Sequence, residues 1–308
     1  MKAEVFRGSA VAIVTCFDER GRLNLNAFEN LIGWQIEQGT NAIVVCGTTG
    51  ESATLTEQEF AALIESAVRT VAKRVPVIAG TGSNNTEHAI RRSVLAQSLG
   101  ADAILCVTPY YNKTTQRGLI AHFTAIAESC PLPMILYNVP SRTGISCTAE
   151  TYAQLALVPS IAGVKEASGD FTLVLKTRSR CPPDFAIYSG NDDQIVPTLA
   201  LGGSGVISVL ANIAPRETAD ICCLYFEGQG ARAERLQTKF APLIEALFCE
   251  TNPIPVKTAL AMMGRDTGVM RLPLVPMSEQ NRRILQRAMI NAGLIEENKK
   301  KVEMRDVM

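Results

Sequence analysis

The sequence predicts a closed (β/α)8 TIM barrel of α/β class with a C-terminal helical appendage, and three observations carry that expectation. Eight short runs rich in Ile and Val recur through the first two-thirds of the 308-residue chain. They lack polar alternation, as strands covered on both faces do. Amphipathic helical stretches separate most of them, which is the rhythm of a parallel sheet. An open doubly wound sheet shares that rhythm, but no G-x-G-x-x-G follows the first strand.

The expected strands are AVAIVT (10–15), NAIVVCG (41–47), VPVIAG (75–80), ADAILCV (101–107), LPMILYN (132–138), IAGVKEA (161–167), FAIYSG (185–190) and GVISVL (205–210). Between them, NAFENLIGWQIEQG and TEQEFAALIESAVRTVAKR read as helices, with Gly39 and Gly100 where helix C-caps belong. The barrel is expected over 1–213 and a helical region over 214–295, built from PRETADICCLYFEGQ, ARAERLQTKFAPLIEALF, PIPVKTALAMMG and SEQNRRILQRAMINAG. The charged tail 296–308 lacks a usable apolar face and is expected to fray.

Composition narrows the function classes. Lys+Arg and Asp+Glu both number 30, so the formal charge is zero, which argues against a nucleic-acid partner. No run approaches a membrane span, and MKAEVFRGSA lacks the apolar core of a signal peptide. A cytoplasmic, soluble protein is expected. The nine cysteines fit that compartment: most lie in apolar segments, no C-x-x-C occurs, and the count is odd. The two histidines, His88 and His122, stand in helical stretches away from metal-ligand spacing, so no metal centre is expected.

Catalytic residues of such barrels sit where strands end, at the C-terminal face. The strand ends here read GTTGES (47–52), TPYYNK (108–113), YNVPSRTG (137–144), KEASG (165–169), SGNDD (189–193) and SVLAN (208–212). Lys165 is the anomaly, an ammonium group closing an apolar strand. Keeping a free lysine neutral at pH 7 costs roughly 4–5 kcal/mol. Burial disfavours the charged form and supplies much of that cost. A neutral amine facing a pocket forms Schiff bases with carbonyl compounds. The competing reading is a structural ion pair with Glu166, but strand neighbours point to opposite faces.

Neighbouring groups suit the same chemistry. Tyr137 ends the preceding strand and could shuttle protons through a hydroxyl such as Thr49; the alternative is a core tyrosine. The GTTGE turn combines close backbone approach with the hydroxyls and N–H groups of Thr48 and Thr49, suited to a carboxylate. Arg142 offers a planar fork for a second carboxylate, or is a surface arginine.

Together the six strand-end motifs, in register over about residues 5 to 295, resemble the dihydrodipicolinate synthase family. That family lies within the pyruvate-dependent class I aldolases, which include N-acetylneuraminate lyase. The resemblance implies a lyase needing no cofactor beyond its covalent lysine–pyruvate Schiff base. Pyruvate would condense with Lys165, and the enamine would attack L-aspartate 4-semialdehyde in lysine and diaminopimelate synthesis. Tyr137, Thr49 and Tyr111 would form the proton relay, with Tyr111 reaching in from a neighbouring subunit of a homotetramer, a dimer of dimers. Thr48 and Thr49 would hold the pyruvate carboxylate and Arg142 that of the semialdehyde. The main-chain carbonyls of Gly190 and Ile207 would lie close to the lysine. Sugar-acid lyases of the superfamily generally lack the SRTG arginine, so Arg142 favours the semialdehyde over N-acetylneuraminate or a 2-keto-3-deoxy sugar acid.

The resemblance also implies a possible regulatory cleft, where relatives bind lysine, at Ser52, Ala53, Glu57, Phe60, Asn84, His88 and Tyr110. Ser52, Ala53, Asn84 and Tyr110 match the inhibited pattern. Glu57 and Phe60 replace two histidines, and His88 replaces a glutamate that would receive the lysine α-ammonium. Weak or absent inhibition by lysine is therefore expected.

Two rival classes draw on other motifs. GGSG (202–205) could cradle phosphate in a non-catalytic barrel, although it would equally tighten the turn into the eighth strand. A metal-dependent aldolase would have only Asp192 and Asp193 as strand-end ligands, and these are expected to cap the following helix. Lys257, in NPIPVKTAL, is expected to have a packing or surface role.

Overall fold

The computed structural model describes residues 4–297. Eight parallel strands close into one barrel in chain order: β1 (Gly8–Ala12), β2 (Ala42–Val45), β3 (Val77–Gly80), β4 (Ala103–Val107), β5 (Met134–Asn138), β6 (Ile161–Glu166), β7 (Ala186–Ser189) and β8 (Gly205–Ser208). β1 pairs with β8 to complete the cylinder, Gly8 lying opposite Gly205. Here the glycine is obligatory: a Cβ on Gly205 would stand 1.9 Å from the Gly8 carbonyl oxygen.

Side-chain parity sorts the strands into two cores. Ala10, Ala12, Ala42, Val44, Leu105, Tyr137, Tyr188 and Ile207 fill the interior. Val11, Ile43, Val45, Ile104, Leu136 and Val164 face the surrounding helices. Phe6 plugs the interior by stacking on Tyr188, ring centres 4.2 Å apart, and its carbonyl accepts the Tyr188 hydroxyl.

The first strand lies earlier than the expected 10–15. Beyond Ala12 the chain leaves the β1–β8 ladder, and the Val14 amide donates to the Asn212 side chain instead. The helix after β2 runs Glu57–Val71, opened by a reciprocal Thr56–Glu59 capping box. It stops short of the expected AKR because Ala72 and Lys73 turn left-handed, with φ of 48° and 60°. Gly39 and Gly100 follow helix ends with φ near +90°, as expected of C-terminal caps.

The C-terminal helices Pro215–Phe226, Gly230–Leu247, Ile254–Met262 and Glu279–Ala292 follow the barrel. The third of these docks against the β2 loop through Lys257. Its ammonium is fully buried, donating to the Thr15 carbonyl and to Glu51 Oε1, each at 2.8 Å. Glu51 Oε2 in turn accepts the Arg271 amide. The Arg271 guanidinium reaches Glu59 and holds that carboxyl down at about 2. Of the expected tail 296–308, residues 298–308 lie outside the described residues. No helix among the described residues is long and apolar enough to cross a membrane.

Candidate active site

Lys165 and Tyr137 face the barrel interior because strand register puts them there. They are Cα partners across β5 and β6, and Lys165 is also the partner of Tyr188 in β7. The lysine Nζ lies 4.5 Å from the centre of the Tyr137 ring. Lys165 is 5% exposed, yet among the described residues it makes no ion pair and no hydrogen bond.

Glu166 points the other way. It pairs laterally with Asn138 on the outer face, and its carboxylate accepts from Asn138 Nδ2, the Tyr152 hydroxyl at 2.8 Å and the Ser168 amide at 2.8 Å. Burial raises its carboxyl above the usual range, opposed by those donors. A structural Lys165–Glu166 pair is thus excluded by strand geometry.

A cavity of about 190 Å³ opens over Lys165 at the C-terminal mouth of the barrel. Its walls include Thr48, Thr49, Tyr137, Arg142, Lys165 and Gly190. The GTTGE turn reaches it through two left-handed non-glycine residues, Cys46 at φ 56° and Glu51 at φ 53°. Gly50 is closely packed, since a Cβ there would meet the Ile13 carbonyl at 3.2 Å and the Thr15 hydroxyl at 3.3 Å. Gly190 is held more tightly still: its Cβ would stand 2.5 Å from Ala167 Cβ and 3.1 Å from Lys165 Cε. Arg142 sits on the short helix Pro140–Thr143, capped by left-handed Gly144. Its Nη2 donates to the Asn252 carbonyl at 3.0 Å.

Tyr111 and Ile207, expected from the resemblance to serve the site through a neighbouring subunit and through a main-chain carbonyl, do not line the cavity of this chain. Tyr111 is 93% exposed with φ 66°, outside the cavity of its own chain. Ile207 is fully buried among the interior side chains, and the cavity wall beyond β8 is Val209. Asp192 does not cap the following helix; its Oδ2 accepts from the Val209 and Leu210 amides at 3.0 and 2.9 Å, fixing the turn after β8. Burial raises its carboxyl above the ordinary range, against the Ser208 hydroxyl, those amides and the charge of Lys165. Asp193 is exposed and makes no capping bond. Among the described residues no group of three or more His, Cys, Asp or Glu could hold a metal.

A second cleft of about 420 Å³ adjoins the cavity and shares Thr48, Val139, Arg142 and Asn252 with it. Ser52, Ala53, His88 and Tyr110 line it. Glu57 is spent elsewhere, its Oε1 accepting from Arg92 Nη2 at 2.8 Å and facing His88 Nε2 at 3.1 Å. Phe60 corrects the expected set: it is fully buried, its ring 4.9 Å from the Arg92 guanidinium, and offers the cleft no surface. Asn84 also lies outside the lining, its carbonyl accepting from Asn112 Nδ2.

Sequence reasoning missed Asn252. It is 6% exposed, lines both chambers, and donates through Nδ2 to the Thr49 hydroxyl at 3.0 Å. The only local signal is an Asn-Pro step at a helix entrance, which by itself says nothing about a residue 203 positions away.

Comparison with known proteins agrees with this geometry. The model of the dihydrodipicolinate synthetase family matches residues 5–292. The 4-hydroxy-tetrahydrodipicolinate synthase of Thermoanaerobacter sp. (strain X514) is 52% identical over 294 residues, covering 95% of this chain and 99% of that one. The crystal structure of the chloride-inhibited dihydrodipicolinate synthase of Acinetobacter baumannii, complexed with pyruvate, superposes with a TM-score of 0.92 at 47% identity, over 94% of this chain and 99% of that chain. The dihydrodipicolinate synthase of Cyanidioschyzon merolae with lysine bound gives a TM-score of 0.93 at 43% identity, over 95% and 100%. A match of this extent, with the lysine and its strand-end neighbours on one barrel rim, places the chain in the dihydrodipicolinate synthetase family.

Proposed function

We infer that the chain has 4-hydroxy-tetrahydrodipicolinate synthase activity, a lyase reaction that joins pyruvate to L-aspartate 4-semialdehyde in lysine and diaminopimelate synthesis. The observation that carries this reading is the state of Lys165: buried at the barrel mouth, beside Tyr137, with no carboxylate in ion-pair contact among the described residues.

The amine attacks the keto carbon of pyruvate, and the carbinolamine loses water to leave an imine. Loss of a methyl proton gives an enamine whose carbon attacks the aldehyde. Both steps need a proton carrier, a role for Tyr137 and Thr49 with Tyr111 of a neighbouring subunit. Thr48 and Thr49 receive the pyruvate carboxylate at a turn with tight backbone approach. Arg142, exposed at the cavity rim, receives the carboxylate of the semialdehyde. The Gly190 carbonyl helps to position the bound ligand. A 190 Å³ cavity lies below the roughly 300–1,000 Å³ of drug-sized sites and suits a three-carbon acid. The covalent Schiff base replaces any external cofactor.

The enzyme works in the cytoplasm as a homotetramer, a dimer of dimers. Support for a shared site comes from Tyr111, an aromatic side chain 93% exposed on a left-handed backbone. Such a residue gains little in its own subunit.

Incubation with pyruvate and borohydride, followed by peptide mass mapping, tests the chemistry. A label on Lys165 is expected; a label on Lys257, or on no lysine, would overturn the mechanism. Turnover of aspartate semialdehyde but not N-acetylneuraminate or 2-keto-3-deoxygluconate is expected, and should persist in EDTA. Activity with a sugar acid alone would reassign the substrate.

A further inference from the structure

We propose that Asn252 is a positioning residue for this reaction, holding Thr49 and Arg142 in one frame and turning the Thr49 hydroxyl proton toward the Lys165 cavity. The proposal rests on the reading of Thr49 and Arg142 as substrate-handling groups.

A threonine hydroxyl has one proton and two lone pairs. Asn252 Nδ2 donates to Thr49 Oγ1 at 3.0 Å and so occupies a lone pair. The Thr49 proton must then point away from Asn252. Among the described residues it meets no protein acceptor, and Thr49 shares the cavity wall with Lys165 and Tyr137. The proton is thereby left for a group inside the cavity.

The amide holds this orientation although it leaves a polar atom unsatisfied. Asn252 Oδ1 is buried without a hydrogen-bond partner, a state that buried amides seldom keep. The main chain of the same residue serves the other substrate, since its carbonyl accepts from Arg142 Nη2 at 3.0 Å. One residue therefore touches the groups assigned to both carboxylates.

The segment is anchored behind Asn252 as well. Lys257, one turn into the helix Ile254–Met262, bonds to Glu51, two residues beyond Thr49. The middle and the end of the GTTGE turn are thus tied to the same C-terminal segment. A displacement of about 1 Å in such a frame costs on the order of a hundredfold in rate.

The direction of the hydrogen bond makes the test sharp. Asn252→Ala frees the Thr49 hydroxyl to choose its orientation, and kcat at saturating substrates is expected to fall by roughly tenfold or more. Asn252→Asp has the same shape, but its carboxylate only accepts, so it captures the Thr49 proton and should lower kcat further. Reading kcat at saturation keeps the repulsion of substrate carboxylates by the new charge within KM. In a Thr49→Val background, Asn252→Ala should cost nothing more. Thermal melting reports whether each variant folds, and the isosteric Asp variant covers the case in which Ala does not. A merely structural Asn252 predicts the opposite order, Asp above Ala. That order, or a further loss in the Thr49→Val background, would overturn the proposal. Borohydride trapping of pyruvate on the unaltered protein separates the two levels: without a Lys165 label the reading of the site fails, whereas a label with the wrong variant order removes only the role of Asn252.

Discussion

Tyr137 and Lys165 are lateral neighbours across β5 and β6, and the lysine Nζ stands 4.5 Å from the tyrosine ring centre. Strand pairing, not loop conformation, sets that distance, so the two side chains are held by the barrel ladder itself. Tyr137→Phe keeps the ring and the packing but removes the proton-bearing oxygen. Its kcat should fall by about 10²–10⁴-fold, the usual worth of a general acid–base group, with little change in melting temperature. Retention of most of the turnover would remove Tyr137 from the relay.

Lys257 and Glu51 form an ion pair that is enclosed completely, with side-chain exposures of 0% and 1%. Removing one partner leaves the other charge buried and uncompensated, at a cost of about 3–5 kcal/mol. Lys257→Met should therefore lower the denaturation free energy by roughly that amount. Adding Glu51→Gln to it should restore a substantial part, because a neutral amide can still accept the Arg271 amide. Equal losses in the single and double variants would show that the pair is not coupled.

Acid sensitivity should centre on His122. Its ring is buried, with Nδ1 2.9 Å from the Thr86 hydroxyl and Nε2 without a partner. Burial pulls its pKa down from 6.5 to about 4. The unfolded chain takes up this proton as pH falls through 6.5, the folded chain only near 4. The contribution is present above 6.5 and lost between the two values. From this group alone, stability should drop by about 2 kcal/mol between pH 7 and pH 5. Urea titrations of His122→Asn at both pH values should show a smaller drop than the parent; an equal drop would acquit the histidine.

Lysine should inhibit weakly or not at all. The cleft that would receive it is lined by His88 and Arg92, while the Glu57 carboxylate already accepts from both. Hydrogen bonds from those two groups outweigh burial and keep the Glu57 carboxyl below its usual range, so it stays committed to them. An incoming ammonium group meets the Arg92 guanidinium, with the Glu57 and Glu51 carboxylates already paired. Half-inhibition by micromolar lysine in a steady-state assay would contradict this.

Much of the molecule was legible because it follows local rules. Eight apolar runs and the helices between them specify the barrel, and alternation alone separates Lys165 from Glu166. Strand-end motifs likewise point to the cavity that Thr48, Thr49, Tyr137, Arg142 and Gly190 line. What stayed hidden depends on long-range closure. The start of β1 is set by pairing with β8, nearly two hundred positions away. Asn252 meets Thr49, and Lys257 meets Glu51, across more than two hundred residues, and neither pair has a periodic signature. Phe60 follows family alignment into a cleft, whereas its own apolar ring follows the helix Glu57–Val71 into the core.

Tyr111 gives the last test, because the proposed function would divide the site between chains. It is exposed and left-handed in its own subunit, and the cavity beside Lys165 does not include it. If a neighbour supplies it, Tyr111→Phe and Lys165→Ala damage different halves of one shared site. Each variant alone should be strongly impaired, the first through the relay and the second through loss of the nucleophile. Co-expressed, they form mixed dimers in which Lys165 of the Tyr111→Phe chain meets an intact Tyr111 from the Lys165→Ala chain. A two-fold interface requires that exchange to be reciprocal, so one of the two sites in each mixed dimer is whole. Activity should therefore reappear in the purified heterodimer. If Tyr111 instead folded back onto its own subunit, the mixed dimer would hold one site lacking the relay and one lacking the amine, and would show no recovery.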